Sequence, residues 1–573
     1  MKTKLAHLIF VLMTSIVLTA CGGGGGGGGP GADGTTDTTD TTDTATGPSV
    51  TSLTPADTTT DVDTGIVLSI VFDKAIDEAT LNSASFSLND SAGISGVIAY
   101  DASTFTATFT PDTRLKGNTL HTATLTTSIT GSDGLPLTQS YSITFTTTRN
   151  VVFFGADDGA GRGLWKSDGT EDGTVLVSRV EPIDDRGFFE VNGVHLFVRY
   201  DITSGIELWK TDGTEAGTVL VKDIYSGVGS SSPTQLTVVN GVLYFSANNG
   251  VTAREIWASD GTESGTVLVK DIRAGIGASS PTNLTAVNGV LYFNANDGVN
   301  GFELWKSDGT GAGTVLVKDI QPGVGSSSPT DLTAVNGVLY FRANDGINDT
   351  ELWASDGTEA GTVLVKDIRA GGASFPTDLA AVNGVLYFKA NDGTNGYELW
   401  ASDGTEAGTV LVKDIRPGVN SSSPSNLMVI NGVLYFRAND GVNGFELWAS
   451  DGTEAGTVLV KDINEEGASS PYNFTALDGV LYFNATDGIN GIELWKSDDT
   501  EAGTVMVKDI AFQTFSSLPY SLTALNGELL FGANDGINGN ELWKSDGTES
   551  GTVILKDINS SGSSSPFNND EDP

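Results

Sequence analysis

The segment Glu303-Leu304-Trp305-Lys306-Ser307-Asp308-Gly309-Thr310 occurs nine times along the chain in closely similar form. Each copy contains one tryptophan, and the copies together account for all nine tryptophans of the sequence. Successive tryptophans are separated by 44, 48, 48, 48, 47, 48, 47 and 48 residues. A fixed period of this length is typical of a protein built from structural repeats. The copies are centred on Trp165, Trp209, Trp257, Trp305, Trp353, Trp400, Trp448, Trp495 and Trp543.

One repeat, taken over residues 284–320, predicts four antiparallel strands. Asn288-Gly289 favours a tight hairpin turn because both residues tolerate a positive φ. Ser307-Asp308-Gly309-Thr310 predicts a second turn, in which the aspartate side chain binds backbone amides. Four such strands in about 40–50 residues are typical of one blade of a β-propeller. The predicted strands are Leu284–Val287, Val290–Ala295, Phe302–Lys306 and Thr314–Ile320.

The predicted fold is therefore all-β, with a large β-propeller of four-stranded blades. An open β-solenoid is the alternative, but its rungs are usually shorter and parallel, and the hairpin turns argue against it. Nine motifs indicate nine blades, which exceeds the usual four to eight. The first unit lacks a clear first strand, so eight blades and a remnant, or a first strand lent by another segment, also fit. Residues 565–568 resemble the start of such a strand and leave the closure of the ring open.

The repeats resemble those of bacterial proteins named for the ELWxxDGT repeat, and the resemblance covers residues 151–558. The motif is long, ordered and recurrent, which makes the resemblance specific. One copy departs from it, because Asp498-Asp499-Thr500 stands where the motif has Asp-Gly-Thr. The resemblance implies a secreted or surface protein with a propeller-like repeat, and it implies no particular activity.

The first 20 residues have the features of a bacterial secretory signal peptide. Two lysines precede an apolar stretch from Leu5 to Val17, which is too short to span a membrane as a helix. The sequence Leu18-Thr19-Ala20-Cys21 resembles a lipobox, in which the signal is cut before a cysteine that then carries lipid. We therefore predict Cys21, the only cysteine of the chain, as the lipid attachment site. By resemblance to known sorting rules, Gly22 favours the outer membrane.

An Ig-like β-sandwich is predicted for residues 48–148. Short runs of alternating Thr, Ser, Val and Ile over about 100 residues are typical of this fold. Pro48–Asp57, Phe72–Asp77 and Tyr141–Thr147 resemble segments of bacterial Ig-like domains found in surface and S-layer proteins. The resemblance implies a stalk rather than a ligand-binding domain.

The remaining boundaries follow from composition. Residues 21–47 contain the predicted lipidated cysteine, a glycine run and an Asp/Thr tract, and we expect them to form a disordered tether. The repeat propeller is assigned to residues 149–560. An acidic tail, residues 561–573, is also expected to be disordered.

The chain is strongly acidic, with 30 Lys and Arg against 72 Asp and Glu and a formal charge of −42. Such a surface repels phosphate groups, which excludes nucleic acid as a partner. It favours solubility and attraction to divalent cations or basic ligands. A single cysteine also excludes an internal disulfide.

The sequence offers no catalytic set. Only His7, His121 and His195 are histidines, and His7 leaves with the signal peptide, so neither a nucleophilic triad nor a zinc site can be assembled. Glu303 could serve as a glycosidase acid by residue type, but a catalytic acid is normally unique in its fold. We therefore predict a structural role for this glutamate and no enzymatic activity. Its equivalents are Glu207, Glu255, Glu351, Glu398, Glu446, Glu493 and Glu541.

The loop from Asn296 to Glu303 is a weak candidate for calcium binding. Asp297, Asn300 and Glu303 offer oxygen ligands on a glycine-rich backbone, which suits a hard cation. The spacing does not match an EF-hand, and Asn, Asp and Gly are also the residues of any tight loop. No other metal or cofactor is predicted.

These features favour a membrane-anchored cell-surface lipoprotein that displays a propeller for binding or adhesion. The predicted partners are the membrane, reached through the lipid anchor, and an extracellular glycan or protein ligand. A structural scaffold of the cell envelope without a soluble ligand is the alternative, and a glycan-acting hydrolase is the weakest one.

Overall fold

The computed structural model describes residues 46–90, 93–113, 115–117, 119–183, 186–512 and 514–567. The predicted signal peptide, Cys21, nearly all of the predicted tether and the residues after Phe567 lie outside the described residues. The described residues form short strands joined by turns and loops with almost no helix, which confirms the predicted all-β class, and the unit predicted to be Ig-like precedes the repeats.

The first unit consists of two sheets that share one apolar core. One sheet has four strands and the other has five. Alternate residues of the third strand, Leu68, Ile70 and Phe72, point into this core, where Phe109 of one sheet and Phe145 of the other also lie. The elements are β1 (Val50–Thr54), β2 (Thr59–Val62), β3 (Leu68–Phe72), a 3-10 helix (Glu78–Thr80), β4 (Phe86–Asn89), β5 (Gly93–Ile94), β6 (Gly96–Asp101), β7 (Thr106–Pro111), β8 (Leu120–Leu125) and β9 (Tyr141–Thr147). The strand orders are β1-β3-β7-β6 and β2-β9-β8-β4-β5.

The described residues of the repeats form nine further sheets, which we number in chain order as repeat sheets. The first has three strands and the other eight have four strands each, antiparallel and in chain order. The strands are β10 (Val152–Asp157), β11 (Arg162–Ser167), β12 (Val175–Ser178), β13 (Phe189–Val191), β14 (Val194–Asp201), β15 (Gly205–Thr211), β16 (Val219–Lys222), β17 (Thr234–Val239), β18 (Val242–Asn248), β19 (Arg254–Ser259), β20 (Val267–Lys270), β21 (Thr282–Val287), β22 (Val290–Asn296), β23 (Phe302–Ser307), β24 (Val315–Lys318), β25 (Thr330–Val335), β26 (Val338–Asn344), β27 (Thr350–Ser355), β28 (Val363–Lys366), β29 (Thr377–Val382), β30 (Val385–Asn391), β31 (Tyr397–Ser402), β32 (Val410–Lys413), β33 (Ser425–Ile430), β34 (Val433–Asn439), β35 (Phe445–Ser450), β36 (Val458–Lys461), β37 (Tyr472–Leu477), β38 (Val480–Thr486), β39 (Ile492–Ser497), β40 (Val505–Lys508), β41 (Tyr520–Leu525), β42 (Glu528–Asn534), β43 (Asn540–Ser545) and β44 (Val553–Lys556).

Each four-stranded repeat sheet has two distinct ends. Because the strands alternate in direction, the turns after the first and third strands lie at one end, which we call the hairpin end. The loop after the second strand and the connection to the next sheet lie at the other, which we call the loop end. In the fourth sheet, Asn288-Gly289 and Ser307–Thr310 belong to the hairpin end, whereas Asn296–Gly301 and Gln321–Thr330 belong to the loop end.

Nine apolar clusters join the repeat sheets, and each cluster combines residues of two sheets. Trp305 of the fourth sheet packs with Ile256 and Val269 of the third. The other tryptophans of sheets two to nine lie in the same way against the preceding sheet. Trp165 of the first sheet packs with Leu542 and neighbouring leucines of the ninth. The contact between the first and last sheets therefore repeats the contact between successive ones.

The C-terminal segment also bonds to the first repeat sheet. The Asp157 N–H donates to the Ser564 carbonyl at 2.9 Å, and the Phe567 N–H donates to the Gly155 carbonyl at 3.1 Å. The ring centroids of Phe567 and Phe154 lie 4.7 Å apart. Part of the predicted tail, residues 564–567, is therefore bound to the edge of β10, where the other sheets have their first strand, instead of being free of the sheets.

The turn between the third and fourth strands is fixed by its own side chains, as the sequence predicts. Asp308 Oδ1 accepts hydrogen bonds from the Thr310 N–H and Oγ1 at 2.8 and 2.7 Å. Thr310 Oγ1 in turn accepts from the Gly313 N–H at 2.9 Å. Gly309 has a φ of +91°, and the Tyr244 hydroxyl of the preceding sheet fills the space that its side chain would need. The glycine is thus required both by the backbone conformation and by packing.

The eighth sheet lacks this glycine, and the effect of its replacement can be tested. Asp499 takes the place of the glycine with a φ of +76°, and partial burial together with Asp498 raises its pKa. Burial, Asp499 and Asp498 also raise the pKa of the neighbouring Tyr435 to about 12.

Asp499→Gly is expected to raise the free energy of unfolding by up to about 1 kcal/mol, because it removes the cost of the left-handed conformation. Urea denaturation would measure this gain, and Gly452→Asp at the same turn of the seventh sheet should have the opposite effect; a destabilised Asp499→Gly protein would contradict the account.

Candidate interaction surface at the loop end

Buried glutamates fix the connections at the loop end. Glu303 is 0% exposed, and its Oε2 accepts hydrogen bonds from the Ile320 N–H at 2.9 Å and from Ser327 Oγ at 2.5 Å. Its Oε1 accepts from the Ser327 N–H at 2.9 Å. The carboxylate thereby ties the third strand to the connection that leads to the next sheet. Seven equivalents are equally buried and accept from the matching backbone amides: Glu207, Glu255, Glu351, Glu398, Glu446, Glu493 and Glu541.

Burial raises the pKa of all eight glutamates, although hydrogen bonds from serine and backbone amides oppose the shift. For Glu398 and Glu446 the pKa rises to about 7. In the unfolded chain the pKa of a glutamate is about 4.3. Between these two values the folded protein therefore binds protons that the unfolded chain does not.

Lowering the pH from 8.5 to 6 is accordingly expected to stabilise the fold. A raised carboxyl pKa contributes stability that is complete below the unfolded pKa and is lost as the pH rises through the folded pKa. Glu398 and Glu446 should each contribute about 1 kcal/mol across this interval. Urea denaturation at pH 6, 7 and 8.5 would measure the change, and the double variant Glu398→Gln/Glu446→Gln should show a shallower dependence. Stability that increases with pH in this window would contradict the assignment.

The loop between the second and third strands is held by an aspartate. Asp297 Oδ1 accepts from the Val299 and Asn300 N–H groups, each at 2.8 Å, and Oδ2 accepts from Asn300 Nδ2 at 2.8 Å. Burial alone would raise the pKa of Asp297, but the hydrogen bonds from Asn300 and Val299 outweigh it and lower the pKa. The two side chains are thus bonded to each other, while Glu303 is bonded to the connection.

Of the three calcium candidates, Asp297 and Asn300 are therefore bonded to each other, whereas Glu303 is bonded to Ile320 and Ser327 of the connection. Within the described ranges, no group of three or more His, Cys, Asp or Glu side chains is placed to hold a metal ion. The histidines are also separate. His121 is completely buried in the first unit beside Phe145, and the His195 ring lies 4.6 Å from that of Phe153.

Exposed apolar side chains mark the loop end. Val299, at the tip of the loop that Asp297 holds, is 66% exposed. In seven repeat sheets a valine or isoleucine occupies the tip of this loop with exposures from 66% to 87%: Ile202, Val251, Val299, Ile347, Val442, Ile489 and Ile537. The connections at the same end add side chains that are 71% to 93% exposed: Val228, Ile276, Val324, Val419, Phe512 and Phe515.

Sequence reasoning missed this surface, although a signal was present. In five of these seven loops the apolar residue lies between a glycine and an asparagine, at a position in a tight polar turn that no core requires. Exposed apolar residues concentrated at one end of a structure are typical of interaction surfaces.

The first unit contacts the opposite end of the repeat sheets. Lys116 Nζ lies 3.0 Å from Asp478 Oδ1, which belongs to a hairpin turn of the eighth sheet. In the linker after the first unit, the Asn150 N–H donates to Asn526 Oδ1 at 3.0 Å, in the corresponding turn of the ninth sheet. Both contacts lie at the hairpin end, so the loop end faces away from the first unit.

Comparison with known families identifies the first unit. Residues 44–147 match the bacterial Ig-like domain family. The first unit is a bacterial Ig-like domain. Its matched segment agrees with the domain predicted for residues 48–148, and the repeat sheets follow it directly. A search of curated proteins gives no match. Within the described ranges, none of the helices has the length and apolar character needed to cross a bilayer.

Several solved structures match the chain at low similarity. A puromycin hydrolase S511A mutant complexed with PGG is 13% identical, with a TM-score of 0.33 over 56% of this chain and 53% of its own. Prolyl oligopeptidase B from Galerina marginata is 11% identical, with a TM-score of 0.34 over 56% and 50%. L,D-transpeptidase 1 from Mycobacterium tuberculosis is 12% identical, with a TM-score of 0.14 over 20% and 47%. This chain spans about half the length of each of them. At these scores the similarity supports no conclusion about activity.

Proposed function

We propose that the protein is a lipid-anchored, surface-exposed binding protein of the cell envelope without catalytic activity. In this proposal the nine repeat sheets are the blades of one closed β-propeller, whose loop end meets an extracellular ligand. The nine clusters between sheets, including the one that joins Trp165 to the ninth sheet, support a ring of nine blades rather than eight. The tail at the edge of β10 would complete the closure by starting the missing strand.

The observation that carries the binding role is the recurring exposed valine or isoleucine at the loop end. Burying apolar side chains against a partner is favourable, and each fully buried one contributes up to about 1.5–3 kcal/mol to the free energy of binding. Because nearly the same loop recurs in successive sheets, it suits a ligand that is itself repetitive, such as a glycan or a matrix protein. The eight buried glutamates hold the backbone and are 0% exposed, which supports a non-catalytic role.

The anchoring part of the proposal rests on the N-terminal sequence. Cys21 would carry the lipid, residues 22–47 would form a tether, and the Ig-like domain would act as a stalk. Since the stalk contacts the hairpin end, the loop end would point away from the membrane. Cells supplied with radiolabelled palmitate should label the unchanged protein but not a Cys21→Ser protein, and equal labelling of the two would contradict the anchor.

Array binding tests the interaction surface. Full-length protein in detergent would be applied to glycan and matrix-protein arrays, once with calcium and once with a chelator. The triple variant Ile347→Ser/Val442→Ser/Ile489→Ser is expected to lose at least tenfold in affinity for any ligand found, with an unchanged melting temperature. The matched control is Val267→Ser/Val363→Ser/Val458→Ser, which changes valines that are 46% exposed on fourth strands. No ligand for the folded protein, or equal losses in both variants, would favour the scaffold role.

A further inference from the structure

The sixth repeat sheet has a pocket at its loop end, bounded by one residue of the fifth sheet and by the connection to the seventh. Its volume is about 290 Å³, at the lower limit of small-ligand sites, which span about 300–1,000 Å³. A pocket of this size suits a single small ring. Every residue from 186 to 512 is described, so the chain segments around the pocket are complete. The pocket is lined by Arg342, Phe375, Thr377, Lys389, Tyr397 and Ser423.

Two ion pairs form the polar part of this pocket. Arg342 Nε lies 2.9 Å from Asp331 Oδ2, and Lys389 Nζ lies 2.7 Å from Asp378 Oδ2. These four side chains are 23% to 30% exposed, so they are within reach of a ligand. Arg342 Nε also donates to Thr330 Oγ1 at 2.5 Å. Since both contacts of the guanidinium use Nε, its two terminal amino groups remain available as donors, and each aspartate has a second oxygen as an acceptor.

Phe375 is the residue of this pocket that the fold does not require. It has a φ of +47°, which is unusual and unfavourable for a bulky side chain. It is 44% exposed, so packing in the core does not compensate this cost. Backbone strain of this kind is concentrated at ligand-binding sites. In the other connections from the second sheet to the ninth, serine or leucine takes the same position with a positive φ: Ser232, Ser280, Ser328, Ser423, Ser470 and Leu518.

The ion pairs are also confined to the two sheets that meet at this pocket. Among sheets three to nine, only the fifth and sixth combine an aspartate on the first strand with a base opposite it on the second. The fourth sheet has Asn283 and Asn294 at these positions, and the seventh has Asn426 and Arg437. There the Arg437 guanidinium lies 4.2 Å from the ring centre of Phe445, the equivalent of Tyr397. A scaffold of uniform repeats has no need of these differences, whereas a ligand site has.

These groups match the two kinds of surface that a pyranose ring presents. The apolar C–H face of a sugar packs on exposed aromatic rings, such as those of Phe375 and Tyr397, and its hydroxyls both donate and accept hydrogen bonds. The ion pairs offer donors and acceptors side by side. Because each base is paired with an acid, these four groups carry no net charge, and the formal charge of −42 repels polyanions. A neutral sugar therefore fits better than an acidic one.

We infer that this pocket binds a neutral pyranose residue of an extracellular glycan. Phe375 and Tyr397 pack against the ring, and the two ion pairs bind its hydroxyls. The inference rests on the binding role proposed above. It selects a glycan as the ligand and places one sugar at the sixth sheet, at the same end of the molecule as the exposed valines and isoleucines.

Binding of defined oligosaccharides tests the inference. Fluorescein-labelled neutral hexasaccharides of glucose, mannose, galactose and N-acetylglucosamine would be titrated with the full-length protein in a detergent without a sugar headgroup, and anisotropy would report binding. At least one should bind, and Phe375→Ser should weaken it at least tenfold without lowering the melting temperature, because serine is usual at this position. The matched control is Leu518→Ser, which changes the equivalent residue, 50% exposed and with a φ of +46°, and should alter the affinity less than twofold.

A second variant tests the ion pairs without leaving a charge unpaired. Asp331→Asn/Arg342→Asn gives the fifth sheet the residues of the fourth, so it should keep its melting temperature and weaken binding at least fivefold. A hexasaccharide that alternates glucuronate with N-acetylglucosamine should bind at least tenfold more weakly than the neutral ligand. Absence of binding by every neutral hexasaccharide, equal losses in Phe375→Ser and Leu518→Ser, or tighter binding of the acidic hexasaccharide would overturn the inference.

Failure of the pocket and failure of the loop-end surface give different results. If the arrays identify a protein ligand that the triple valine and isoleucine variant loses, while no neutral hexasaccharide binds, only the pocket is refuted. If Phe375→Ser loses the sugar while the triple variant keeps every ligand, only the role of the exposed valines and isoleucines is refuted.

Discussion

Trp305→Ala is expected to lower the free energy of unfolding by about 3–5 kcal/mol, the usual cost of removing a large buried aromatic side chain. Trp305 is 6% exposed and packs across a sheet boundary against Ile256 and Val269. The surrounding sheets are held by their own hairpins and cannot collapse into the space, so the substitution leaves a cavity. Urea denaturation at constant pH would measure the loss.

A surface substitution in the same sheet provides the control for this prediction. Val299→Ala removes an apolar side chain that is 66% exposed, and it should change the free energy of unfolding by less than about 0.5 kcal/mol. If the Trp305→Ala protein had the same free energy of unfolding as the Val299→Ala protein, the tryptophan would not hold the sheets together.

Glu446→Ala is expected to cost about 3–5 kcal/mol, because it leaves several buried donors without an acceptor. The carboxylate accepts from the Ile463 N–H at 3.1 Å, from the Ser469 N–H at 2.6 Å and from Ser469 Oγ. Because its pKa is about 7, the cost of the substitution should also depend on pH. The protonated carboxyl stabilises the fold most at low pH, so the cost of the substitution should be larger at pH 6 than at pH 8.5.

Two neighbouring substitutions bracket this effect. Ser469→Ala removes only one donor and should cost about 1 kcal/mol. Glu454→Ala changes an exposed glutamate in the adjacent turn and should be nearly neutral. A Glu446→Ala protein as stable as the Glu454→Ala protein would mean that the buried carboxylate does not anchor the connection.

The sequence predicted the strands well because turn chemistry is local. Asn288-Gly289 ends the first strand at Val287 and starts the second at Val290, as the structure has them. The fourth strand was predicted as Thr314–Ile320 but spans Val315–Lys318. The difference has a physical cause, since the Ile320 N–H bonds to the buried Glu303 instead of a neighbouring strand.

Contacts between distant residues escaped sequence reasoning. The partner of Glu303 is a serine in the connection, and only the folded sheet brings the two together. The repetition of the glutamate predicted a structural role, but not its burial or its raised pKa. The spacing of the tryptophans likewise predicted the repeat, but it could not show which sheet each tryptophan ring contacts. Composition also could not show which loop residues point to solvent, since Val299 is as apolar as the valines of the core.

The tail at the edge of β10 has a consequence for the order of folding. Arg162 donates to the Ser565 carbonyl across 403 positions of sequence, whereas repeat sheets two to nine are built from adjacent hairpins. Local hairpins form quickly, and contacts of high sequence separation form slowly. A chain that emerges from its N-terminus can therefore complete the later sheets one after another. The apolar edge of the first sheet, including Phe154, stays uncovered until residues 564–567 arrive, and aggregation of the folding chain should start there.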